Sequence, residues 1–195
     1  MDADQVAALR ILLDPSGWLD QTKSFARALR GRKPRAPGEL LLVGTPDDEP
    51  WHLAAHLDLQ SRLAGIPGLA PTLVRWAPPP GAPAHLRVGL SRLEEARRGE
   101  TLFVVSPEAA PVPLLERVHD ARRVGATILA LDAGDPELDD MAHEYLTVTP
   151  GLAPVSFDAA QHLVSAAAGE PARAPAGIRA RLARLLDAIS GERVD

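Results

Sequence analysis

The sequence has no cysteine, which excludes disulfides, thiolate metal sites, iron–sulfur clusters and a cysteine nucleophile. It has no run of about 18 apolar residues, so no segment reads as a membrane span. The opening MDADQVAALR is acidic and does not have the pattern of a secretory signal. Positive charge is short as well. The 21 Lys and Arg against 26 Asp and Glu leave a net charge of -5, which argues against a nucleic-acid partner, because phosphate neutralisation needs a clustered basic surface. Neither G-x-G-x-x-G nor G-x-x-x-x-G-K-[ST] occurs, and no G-x-S-x-G elbow surrounds a serine. Aromatics are scarce at 4%, while alanine, leucine, valine and arginine abound. These absences set the expectation of a soluble, cytoplasmic chain with no membrane and no nucleic-acid partner. At 195 residues it is long enough for one domain with a full core.

What is present is a series of buried-strand and helix signals. Val6 to Leu13 and Trp18 to Leu29 read as two helices, the second with Trp18, Leu19, Phe25, Ala26 and Leu29 inward and Lys23, Arg27 and Arg30 outward. Residues 31–38 (GRKPRAPG) form a basic, proline-rich connector, best read as a solvated linker. Residues 39–44 (ELLLVG) are a continuous apolar run ending in glycine, the profile of a strand buried on both faces. A helix from Trp51 to Leu63 should follow, capped by Asp47 or Asp48 and turning Leu53, Ala54, Leu57 and Leu63 inward.

A short strand is expected over Leu73–Trp76, a proline-rich loop over 77–83, and a charged helix over Leu90–Arg98. Thr101–Ser106 and Ala126–Leu131 are two more buried strands around an amphipathic helix at Leu114–Val124. A short helix at Glu137–Ala142, a strand at Tyr145–Val148 and a helix at Phe157–Ala168 complete the series. Ile178, Leu182, Leu185, Leu186 and Ile189 mark a final amphipathic helix. Repeated strand–helix units predict an α/β chain with a parallel sheet covered on both faces. The division is an N-terminal helical segment and linker (1–38), an α/β domain (39–168), and a C-terminal linker and helix (169–195).

From Glu39 onward, this order of elements resembles the sugar isomerase (SIS) domain family. The phrase TLFVVSPEAAPVPLLERVHDARRVGATILALDAGDPELDDMAHEYLTV, residues 101–148, carries most of the likeness. The resemblance implies a three-layer αβα sandwich with a flavodoxin-like sheet, binding of phosphosugars, and assembly into a dimer or tetramer. Within the family, the sedoheptulose-7-phosphate isomerase group looks nearest. His52 then stands where that group has a helix histidine, His56 replaces a following glutamate, and His162 corresponds to a histidine of a late helix.

The departures from the family concern its anion loops. Phosphate is bound there by backbone N–H groups and hydroxyls converging from two small-residue loops. Here the first loop, after Gly44, is Thr45-Pro46-Asp47-Asp48-Glu49-Pro50, with three carboxylates that repel a dianion and two prolines that cannot donate. The second is Ser106-Pro107-Glu108-Ala109-Ala110-Pro111, with a glutamate where a serine is expected. A conventional phosphosugar site is therefore not expected.

Gly44, Thr45, Asp47, Asp48, Ser106 and Glu108 remain the candidate ligand-binding residues, and Glu108, Asp48 and His162 the candidate proton carriers. His52 and His56 are four apart, so they share a helix face and with His162 are candidate ligands for zinc or nickel. The ordinary reading is that His52 and His56 are surface or interface histidines and that no cofactor is needed. Ser106 is expected to bond its own loop. Asp132, at a strand end, lacks the downstream lysine of a receiver domain. The leading reading is an SIS-fold protein without isomerase activity that binds a ligand or a protein partner. A metal-assisted aldose–ketose sugar-phosphate isomerase is the alternative, and a structural subunit the third.

Overall fold

The computed structural model describes residues 17–31, 36, 38–151, 153 and 155–169. The apolar stretch at residues 6–13, the centre of the basic connector and the C-terminal stripe at 178–189 lie outside the described residues. In chain order the elements are α1 (Trp18–Arg30), β1 (Leu40–Val43), α2 (Trp51–Ala64), β2 (Pro71–Val74), α3 (Ser91–Glu94), β3 (Thr101–Ser106), α4 (Val112–Arg123), β4 (Thr127–Asp132), α5 (Pro136–Met141), β5 (Glu144–Thr147) and α6 (Phe157–Gly169). Two single 3-10 turns flank β2, at Pro67–Leu69 and Ala84–Leu86.

All strand pairs are parallel and the order is β2-β1-β3-β4-β5. The continuous apolar runs are explained by the two cores on either side of the sheet. Leu40, Leu42, Phe103, Val105, Leu129 and Leu131 enter the core formed with α1, α2 and α6. Their neighbours Leu41, Val43, Leu102, Val104, Ile128 and Ala130 enter the core formed with α3, α4 and α5. Successive side chains alternate faces, so a strand covered on both sides must be apolar at every position.

In α1, Trp18, Phe25, Ala26 and Leu29 are buried, with Arg27 on the outer side. The Phe25 and Phe103 rings meet at 5.2 Å. Among the described residues no helix is long and apolar enough to cross a membrane.

Several local expectations need correction. The helix expected over Leu90–Arg98 is only the single turn of α3. Leu93 is its one buried side chain, and the Glu100 carboxylate accepts the Arg97 N–H (2.8 Å) while ion-pairing with Arg92, which draws the chain out of helix. Leu63 is exposed, whereas Leu53 and Leu57 are fully buried. Neither Asp47 nor Asp48 caps α2: Pro50 holds that position and no side chain accepts from the first turn. The second strand lies two residues earlier than expected, and Trp76 has left the sheet so that its indole N–H donates to the Gly44 carbonyl (2.8 Å).

Candidate functional site

In an open parallel sheet, ligands settle where the strand order reverses, beyond the carboxyl ends of the strands. Here the chain leaves β1 for β2 on one side and places β3 on the other. The reversal lies between the loop after Val43 and the loop after Ser106. A cavity of about 430 Å³ opens there, within the size range of small-molecule sites. The first loop and the start of α2 contribute Asp48, Glu49, Pro50, Trp51 and His52, the second loop Pro107, and the first turns of α6 Phe157, Asp158 and Gln161.

The first loop is folded onto itself. The Thr45 N–H donates to the Asp48 carbonyl (3.1 Å), and the Asp48 N–H donates to Thr45 Oγ (3.2 Å). Gly44 is required by this fold-back, because a Cβ there would lie 2.0 Å from the Asp48 carbonyl oxygen and 2.6 Å from the Pro50 ring. Glu49 is bound up in structure. Its carboxylate pairs with Arg75 (2.8 Å) and accepts from the Trp51 indole (3.1 Å) and the Trp76 N–H (3.2 Å). The Arg75 guanidinium also lies over the Trp51 ring at 4.3 Å, adding a cation–π contact.

The second loop spends its donors in the same way. Ser106 Oγ donates to the Glu108 carbonyl (2.6 Å), the local bond anticipated for this serine. The Ala110 N–H donates to Asp135 Oδ2 (2.7 Å), whose other oxygen caps α5 through the Glu137 and Leu138 N–H groups. Pro107 and Pro111 have no N–H to offer.

Of the residues singled out from sequence, Asp48 and His52 line the cavity. Gly44, Thr45 and Ser106 are buried behind it, while Asp47 and Glu108 are exposed to solvent and do not line it. His56 and His162 meet edge to face at 4.4 Å, joining α2 to α6. Burial, and then the neighbouring His162 and His52, hold the His56 pKa below its ordinary value, against a smaller opposite pull from Asp158. His162 Nε2 lies 3.9 Å from Asp158 Oδ2. The three histidines are thus neighbours, yet among the described residues no group of three His, Asp or Glu side chains is placed to hold one ion.

Sequence reasoning missed Trp51, Arg75, Phe157, Asp158 and Gln161. Gln161 alone left a signal, as an amide inside the apolar helix sequence AAQHLVSAAA.

A second polar group sits at the end of β4. Asp132 is fully buried, and its Oδ1 accepts the Gly134 N–H (2.6 Å). Burial, followed by the Asp139 carboxylate beside it, which can accept from the protonated form of Asp132, pushes its pKa up to about 7. Asp132 Oδ2 and Asp139 Oδ1 are buried and accept from no N–H or hydroxyl among the described residues.

No family profile matches the sequence, and no curated protein matches it. Solved structures do. A protein of Silicibacter pomeroyi assigned as a phosphosugar isomerase superposes with a TM-score of 0.60 at 17% identity, over 96% of this chain and 54% of its own. A protein of Salmonella typhimurium assigned as sugar-binding gives 0.56 at 17% identity, over 93% of this chain and 51% of its own. The present chain therefore spans about half the length of these two proteins. The sugar isomerase domain of an RpiR transcription factor from Sphaerobacter thermophilus gives 0.50 at 18% identity, over 93% of this chain and 98% of that domain. With its five-stranded parallel sheet between two helical layers, the chain has the fold of the sugar isomerase domain.

Proposed function

We propose that this chain is a small-molecule-binding module on the sugar isomerase fold, without isomerase chemistry of its own. The observation that carries the reading is that donors in both loops are committed to acceptors within the protein. The Thr45, Asp48 and Ala110 N–H groups and the Ser106 hydroxyl all donate within the protein. An anion cradle needs such donors to converge on the ligand. Glu108, the one acid of the second loop, is exposed and does not line the cavity, so no carboxylate of that loop is positioned for proton transfer there.

The alternative of a metal-assisted sugar-phosphate isomerase draws on the His56–His162 contact, but the described residues supply no third donor to that pair. The test is incubation of the full chain with aldose and ketose phosphates, with and without zinc or nickel, followed by NMR of the sugar pool. No isomer is expected. Appearance of the isomer at a rate proportional to protein contradicts the reading.

A further inference from the structure

The cavity has a recognition group that the loops do not explain. Gln161 is 8% exposed and lines the cavity, and its side-chain amide hydrogen-bonds to no described residue. The amide is not among the fully enclosed unpaired atoms, so it reaches the open space, where a ligand can replace water as its partner. A primary amide both donates and accepts, which matches a hydroxyl group on each count.

The charge at the cavity is also definite. Two helices, α2 and α6, begin at its wall, and each N-terminus carries about +0.5 of an elementary charge. Glu49 is neutralised by Arg75. Asp48 and Asp158 are not tied up in this way. Asp48 makes no ion pair among the described residues, and the Asp158 carboxylate, 69% exposed, lies 3.9 Å from His162 and acts on His56 as well. Two full negative charges exceed two half-positive helix ends, and the balance is about -1. His52 also lines the wall. Phe157 and the exposed part of Trp51 supply apolar surface beside these groups.

We infer that this cavity takes a small hydroxylated amine, with its ammonium group answered by Asp48 and Asp158 and its hydroxyls by Gln161. The inference rests on the binding-module reading and names the ligand class for it. Phosphorylated sugars are disfavoured at the same wall by the two aspartates.

The experiment is calorimetric titration of the full chain with three matched probes: sorbitol, its amine glucamine (1-amino-1-deoxysorbitol) and sorbitol 6-phosphate. None of them is an aldose or a ketose, so turnover does not enter. Glucamine should bind at least about tenfold more tightly than sorbitol, and sorbitol 6-phosphate more weakly than either. Gln161→Leu should weaken glucamine and sorbitol alike by about tenfold, without lowering the melting temperature, because the amide it removes has no partner in the protein. Asp48→Asn with Asp158→Asn should erase the preference for glucamine while leaving sorbitol binding in place.

Equal or tighter binding of sorbitol 6-phosphate overturns the ligand class and leaves a non-catalytic binding module standing. No heat with any probe, or glucamine binding unchanged in Gln161→Leu, overturns it as well. The binding-module reading itself fails separately, by isomer formation in the turnover test.

Discussion

Replacing Gly44 by alanine probes the fold-back of the first loop with a single methyl group. The added Cβ would stand 2.0 Å from the Asp48 carbonyl oxygen and 2.6 Å from Pro50 Cδ. One is main chain and the other a ring, so neither yields by a rotamer change, and the loop itself has to move. Moving it gives up the bonds between Thr45 and Asp48, at 3.1 and 3.2 Å, each about 1 kcal/mol net. Residual overpacking adds about 1–3 kcal/mol, and the lower entropy of the unfolded alanine chain returns about 0.4–1 kcal/mol. The net loss is about 3 kcal/mol. With a urea slope of about 2 kcal/mol/M for a chain of this size, the unfolding midpoint should fall by roughly 1.5 M. Urea titrations followed by far-UV circular dichroism and by tryptophan fluorescence measure this and check that the two probes coincide. A midpoint within about 0.2 M of the parent would refute the reasoning, because the loop would then open as freely as an anion-binding loop must.

The Asp132–Asp139 pair predicts a pH signature of definite sign. Asp132 has a folded pKa of about 7 against 3.8 when free, so between these values the folded chain keeps a proton that the unfolded chain has released. Its contribution to stability is therefore greatest in acid and declines as pH rises through that window, by at most about 1.4 kcal/mol per unit, and is flat above it. The difference in urea midpoint between the parent and Asp132→Asn should shrink or reverse on going from about pH 5 to about pH 7; a constant difference contradicts the raised Asp132 pKa. Glu49→Gln should cost about 3 kcal/mol by leaving Arg75 unpaired at 14% exposure, and should change the fluorescence of Trp51 and Trp76. A loss below about 0.5 kcal/mol would show that the ion pair is solvated and does not organise the wall.

The sheet was legible because its physics is local. Leu40–Val43, Thr101–Ser106 and Thr127–Asp132 have helices on both faces, and their unbroken apolar character announces this without knowledge of partners. The reversal of strand order between β1 and β3 fixed where the site had to be, and the acid and proline content of its two loops could be read directly. Side-chain traffic inside the site could not. Arg75 reaches Glu49 across 26 positions, and Ala110 reaches Asp135 across 25, through packing that no short window contains. The α3 region failed for a related reason. Its charged periodicity favours helix, but Glu100 binds the Arg97 N–H and Arg92, which holds the turn open. Leu63 misled because the inner face of α2 runs through Leu53, Leu57 and Ser61, and Leu63, two residues beyond Ser61, turns to the exposed side.

The central claim is that the loops after β1 and β3 commit the Thr45, Asp48 and Ala110 N–H groups within the protein. The most direct measurement is titration of the nitrogen-15-labelled chain with inorganic phosphate, following the backbone amides of Thr45, Asp48 and Ala110. The account predicts shifts that stay small and do not saturate. Saturable shifts in both loops at once, with a dissociation constant below about 1 mM, would contradict it.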